Sequence, residues 1–151
     1  MIKSFFTLFV LLISLNAYEI EDKENHFTVK IKDISFNELY LNLKDEINFN
    51  SYIIVHELNL AKSTKAVADA FEKEAVVKNG INILICKTSF TLKMHEENIE
   101  NMTFCPMVIS VYEDEISRYI SYRKYHPLKK GDKIANIINQ NLKSLILKSL
   151  D

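Results

Sequence analysis

Two cysteines, Cys86 and Cys105, are the most reactive side chains in the chain, and they lie 19 positions apart. A pair of thiols at that spacing has three chemical readings. In an oxidising compartment the two join as a disulfide, and closing a loop of this size stabilises a fold by about 3 kcal/mol. They can also remain two buried thiols that pack as small apolar groups. The third reading is a functional thiol or a metal ligand set. No Cys-x-x-Cys occurs, so a thioredoxin-type redox site has no support.

Soft donors gather around the pair: Met94, His95, Met102 and Met107 lie between or beside the cysteines. Thiolate, thioether and imidazole together suit copper(I), and Met or His can ligate haem iron. No pair of them has a recognised ligand spacing, and no haem-attachment motif is present. No cofactor is therefore expected, with copper or haem as the alternative. Met94, His95, Cys86 and Cys105 are the candidates for it.

His56 lies in an apolar run and, by strict alternation, shares a face with Ile54 and Leu58. It is a candidate general base at neutral pH; the competing reading is a hydrogen-bonded core histidine. A basic cluster, Arg123, Lys124, His126, Lys129 and Lys130, accompanies Tyr119, Tyr122 and Tyr125. That combination suits an anionic ligand, against the plainer reading of a solvated surface. With two isolated glycines the chain has no phosphate-binding loop, and no Ser-His-Asp set stands out. Without a catalytic motif, a binding module is favoured over an enzyme.

These residues need a frame. Lys3 precedes the apolar run Phe5–Leu15, and Ala17 follows at the position of a cleavage site. Residues 1–17 thus read as a cleaved secretory signal peptide. The run is too short for the roughly 20 residues of a membrane span. The expected product is periplasmic, with no membrane span after cleavage. It comprises a polar segment over 18–25 and one domain over 26–151.

Charge is uneven. Residues 18–115 hold 18 acidic and 10 basic side chains, and residues 116–151 hold 2 and 8. The basic end is expected to neutralise the acidic body. Nucleic acid is not an expected partner for an exported chain of this balance.

The apolar periods give the order β-α-β-α-β-α-β-β-α, an α/β fold in two layers: helices packed on one largely antiparallel sheet. Strands are expected at 26–32, 52–58, 81–86, 107–112 and 116–125. Ser35 to Glu38 forms a capping box, and Phe36, Leu39, Tyr40, Leu43 and Ile47 make one helical face. Ser63 or Thr64 caps a second helix with apolar residues Val67, Ala70, Phe71 and Ala75. Asn79-Gly80 reads as a break. A short helix is expected over 91–99. Gly131 or Asp132 begins a last helix, apolar over more than half its circumference. That excess points to a second buried contact: a subunit interface, or a wedge beneath a loop.

Two segments resemble the domain-of-unknown-function 302 family. One is Ile83-Leu84-Ile85-Cys86-Lys87. The other runs from Thr103 through Cys105-Pro106 and Val111-Tyr112-Glu113 to Ser121-Tyr122. The likeness spans roughly residues 38–149. It implies a small α/β fold with a largely antiparallel sheet, a homodimer, and no general enzymatic activity. Many members carry a Cys directly after the Pro. Here Cys105 precedes Pro106, which in a strand turns the thiol to the other face. Together these readings make the chain a dimeric periplasmic binding or interaction domain, paired through its C-terminal helix, with a small ligand or protein partner. The alternative is a thiol- or metal-handling protein.

Overall fold

The structure is a computed structural model that describes residues 18–151; the expected signal peptide, 1–17, lies outside them. Six strands form one fully antiparallel sheet: β1 (Tyr18–Asp22), β2 (His26–Ile31), β3 (Ile53–Asn59), β4 (Asn79–Cys86), β5 (Met107–Glu113) and β6 (Arg118–Arg123). Their spatial order is β1-β2-β6-β5-β4-β3. The helices are α1 (Phe36–Phe49), α2 (Leu60–Ala70), α3 (Thr88–Glu97) and α4 (Ile134–Lys148), with a 3₁₀ turn at Ile99–Phe104. The two-layer α/β expectation holds, and the observed order adds one strand at the start. The polar segment 18–25 supplies that strand: Tyr18–Asp22 pairs with Phe27–Ile31.

Alternation decides which face of the sheet is covered. Phe27, Val29, Ile83, Ile85, Met107, Ile109, Val111 and Ile120 are fully buried against α1, α3 and α4. In α1, the Ser35 hydroxyl accepts from the Glu38 N–H at 3.2 Å, as the capping box predicts. Leu39, Leu43 and Ile47 are buried on its inner stripe.

The last helix corrects one expectation. Its apolar residues are spent inside the chain: Ile134, Ala135, Ile138, Leu142, Leu145 and Ile146 are buried, and Ile137, Leu147 and Leu150 pack half-buried on the same core. Because α1 and α3 flank α4, the wide apolar arc needs no second subunit. The helix starts at Ile134, two or three residues later than Gly131 or Asp132 predict. Its cap comes from elsewhere: the Glu97 carboxylate, at the end of α3, accepts from the Lys133 and Ile134 N–H groups at 2.6 and 2.8 Å. A carboxylate there also complements the positive end of the helix dipole.

The second helix departs further. Asn59, not Ser63 or Thr64, caps it, accepting from Lys62 N–H at 2.8 Å. The Ser63 and Thr64 hydroxyls instead donate back to the carbonyls of Asn59 and Leu60. Val67 and Phe71 are exposed; the helix touches the sheet through Ala61, close to Gly80. Gly80 does not break the chain but begins β4. A Cβ there would meet Val77 Cγ1 at 2.9 Å, so a larger residue requires the Val77 side chain to shift.

Candidate functional site

Among the described residues, the sheet's other face is covered only at its Gly80 corner, by α2. Cross-strand register builds that face in rows. Thr28, Ser121, Ser110 and Asn82 form one row across β2, β6, β5 and β4. The Ser110 hydroxyl donates to Asn82 Oδ1 at 2.8 Å. On one side lie Lys30, Tyr119 and Tyr112; the two tyrosine rings stack with centroids 4.9 Å apart. On the other side His26 pairs with Arg123. All of these but Asn82, with Glu19 and Glu21 from β1, line an open concavity of about 570 Å³.

The charges of this face are not equivalent. Lys30 has Glu19 at 3.7 Å. Arg123 is exposed, and among the described residues no carboxylate pairs with it. The Tyr119 hydroxyl donates to Asp114 Oδ2 at 2.8 Å, which raises the phenol's pKa above its ordinary value. Asp114 also accepts from the Ile116 and Ser117 N–H groups, each at 2.8 Å. These bonds hold its carboxyl below the usual range, the backbone donors most strongly.

The basic cluster of 123–130 does not act as one grip. Lys124 binds Asp22 Oδ1, and Lys143 binds Asp22 Oδ2 at 2.7 Å. Lys129 sits 3.3 Å from Asn98 Oδ1 and 4.0 Å from Glu100. His126 and Lys130 are exposed. His126 lines a separate hollow with Tyr122, Asn136 and Asn139. Arg123 alone of the five joins the main concavity, and it also lines a smaller hollow with Asn82, Val108 and Lys124.

Asp22 is a tether as well as a counter-ion. The side-chain bonds from Lys124 and then Lys143 hold its carboxyl below the ordinary value. A depressed carboxylate stabilises the fold above the unfolded pKa, and that stability is lost as pH falls through the folded value. Below about pH 4, where free Asp protonates, β1 and the 114–117 turn should therefore loosen before the rest of the sheet. Amide hydrogen exchange checks this. Asp22→Asn should speed exchange in residues 18–22 already at neutral pH and remove the acid step there; unchanged exchange would show that β1 is held by its ladder alone.

His56 is exposed, not a core residue. Ile54 pairs with Ile85 on the covered face, whereas His56 pairs with Leu84 on the open one, because a bulge falls at Val55. The extra residue shifts the alternation. His56 therefore shares a face with Leu58 but not with Ile54, at the sheet's edge. Glu57 turns to the covered side instead, where it accepts from Tyr40 at 2.8 Å and pairs with Lys44 at 3.2 Å.

Cys86 and Cys105 are bonded to each other, with Cα atoms 6.2 Å apart. Thr91 Oγ1 lies 3.9 Å from Cys105 Sγ. With both sulfurs so engaged, neither is a thiolate. Met94 and Met107 are fully buried in the core, Met102 is exposed, and His95 is half-buried. Among the described residues, no three His, Cys, Asp or Glu side chains converge as a metal site would require. Among the described residues, no helix is long and apolar enough to cross a membrane.

Sequence reasoning missed Thr28, Lys30, Ser110, Tyr112 and Ser121. They lie on the polar, open face of β2, β5 and β6. The register that stacks them side by side, with β2 beside β6, is not a local signal.

The architecture is that of a small DUF302-like α/β domain. It is similar to the crystal structure of an uncharacterised conserved DUF302 protein from Bacillus stearothermophilus, with a TM-score of 0.67 at 16% identity over 82% of this chain and 97% of that one. No protein-family model and no curated protein matches the chain.

Proposed function

We propose that the protein is an exported, periplasmic binding module, not an enzyme, and that the open sheet face takes a small polar ligand with an anionic group. One observation carries this reading: Arg123, free of an acidic partner among the described residues, stands beside a row of hydroxyls and a stacked tyrosine pair in one concavity. A guanidinium supplies two parallel donors to a carboxylate or phosphate. Hydroxyls of Ser110, Thr28 and Ser121 serve polar groups on the same molecule, and the tyrosines offer a flat apolar wall.

Citrate and inorganic phosphate are suitable probes, followed by amide chemical shifts. Shifts should map to β2, β5 and β6, and Arg123→Ala should weaken binding about tenfold or more, the loss of a charge-assisted hydrogen bond. Equal binding by Arg123→Ala and wild type would remove the proposal.

Export rests on the pattern of residues 1–17, and the bonded cysteines support an oxidising compartment. The thiol- or metal-handling alternative requires the reduced pair. It predicts copper or haem retained in a native mass spectrum after reduction and lost in Cys86→Ser. The same spectrum reads the N-terminus: a mass beginning at Tyr18 supports export, and an intact Met1 opposes it.

A further inference from the structure

The two edges of the sheet differ. β1 is short and carries Glu19, Glu21 and Asp22. Charged, short edges are protected against pairing with another strand. The opposite edge, β3, is seven residues long, with Ile53, Val55 and Leu58 exposed at 60%, 55% and 41%. It contains no Lys and no Pro. Asn59 ends the strand and caps α2 directly, so Leu60 follows without a loop. Leu60, Val67 and Phe71 fall on one helical stripe, i, i+7 and i+11, and all three are exposed.

We infer that β3 and α2 form the interface of a two-fold dimer with a second copy of this chain. Three features favour a copy over another partner. The six side chains expose on the order of 600 Å², against the about 800 Å² per partner, polar and apolar together, of a standard specific interface. That lies at the upper end of the about 300–600 Å² of the largest apolar patch on a typical monomer. An antiparallel β3–β3 pairing also closes on itself, leaving only the two charged β1 edges free. Finally, the bulge fits a self-pairing. With Ile53 opposite Leu58, open-face residues meet; the bulged Val55 falls opposite His56, and Glu57 lies opposite Ile54, both on the covered face, rather than another Glu57. A one-residue slip would set covered-face Ile54 against open-face Leu58. The homodimer expected of α4 is thereby moved to the other side of the molecule. This inference is independent of the ligand proposed above.

Sedimentation velocity of the protein, purified after expression of the full chain, tests it at micromolar concentrations. A dimer is expected. Val55→Lys and Phe71→Lys, both at exposed positions, should each raise the dimer dissociation constant at least tenfold, as loss of a central interface anchor does. Ile116→Lys, on the exposed 114–117 turn, and Ser144→Glu, on the outer side of α4, should leave it unchanged. Circular dichroism confirms that each variant is folded. A monomer at every concentration, or a dimer insensitive to both β3 and α2 variants, overturns the inference. A dimer broken by Ser144→Glu would return the contact to the C-terminal helix.

Discussion

Replacing both Cys86 and Cys105 by serine is expected to lower the unfolding free energy by about 3 kcal/mol. The bridge joins the end of β4 to Cys105, two residues before β5, closing the segment that holds α3 and the 3₁₀ turn. Without it the unfolded chain gains the freedom of that loop. The folded chain keeps the β4–β5 ladder, whose register spans Asn79 to Ile85 against Glu113 to Met107. The double variant should therefore fold to the same sheet but unfold at lower urea. Urea titrations of wild type with and without reductant give the comparison: reduction should reproduce the double variant's midpoint. If reduction and the double substitution both leave the midpoint unchanged, the bridge contributes nothing to stability.

Leu142→Ala should have an effect as large or larger. Leu142 is fully buried on α4, in the layer between α1, α3 and the sheet. Truncating such a leucine removes buried methyl groups and leaves a cavity, at roughly 2–5 kcal/mol. The expected result is a loss of stability in that range with an unchanged dimer dissociation constant wherever the variant is folded. An effect confined to self-association, with unfolding unchanged, would show that α4 faces a partner rather than its own core. Thermal or urea unfolding and sedimentation on the same sample separate the two.

Five of the six strands were legible because each carries a local pattern; β1, in the polar segment 18–25, was not. In His26–Ile31 the apolar residues alternate and are buried, and in Met107–Glu113 the alternate residues Met107, Ile109 and Val111 are buried. The first helix was legible for the same reason, from Ser35 to Ile47. What stayed hidden depends on distant residues. The α4 cap is Glu97, 36 positions upstream of Lys133, so no inspection of the sequence around residue 131 finds it. The bulge at Val55 has no glycine or other local mark, and it reverses the facing of His56. The α2 stripe of Val67 and Phe71 has the spacing of a core face, yet periodicity reports only that apolar residues are aligned, not what they meet. The five basic residues of 123–130 looked equivalent in sequence, and Asp22, more than 100 positions away, distinguishes Lys124 from Arg123. The cysteine pair was a stated possibility; its 6.2 Å approach is set by how β4 and the 3₁₀ turn meet.

The neighbour of β2 in the sheet is β6, not β3 or β4. The amino-terminal hairpin β1–β2 thus has no strand to join until residues 118–123 have been made. The covered face of the sheet likewise waits for α4, which ends at Lys148. During biosynthesis most of the chain exists before its core can close, because both events need its last 34 residues. Contacts of such long sequence separation slow folding. This wiring postpones compaction until β6 and α4 have emerged, and it ties the moment of compaction to their arrival.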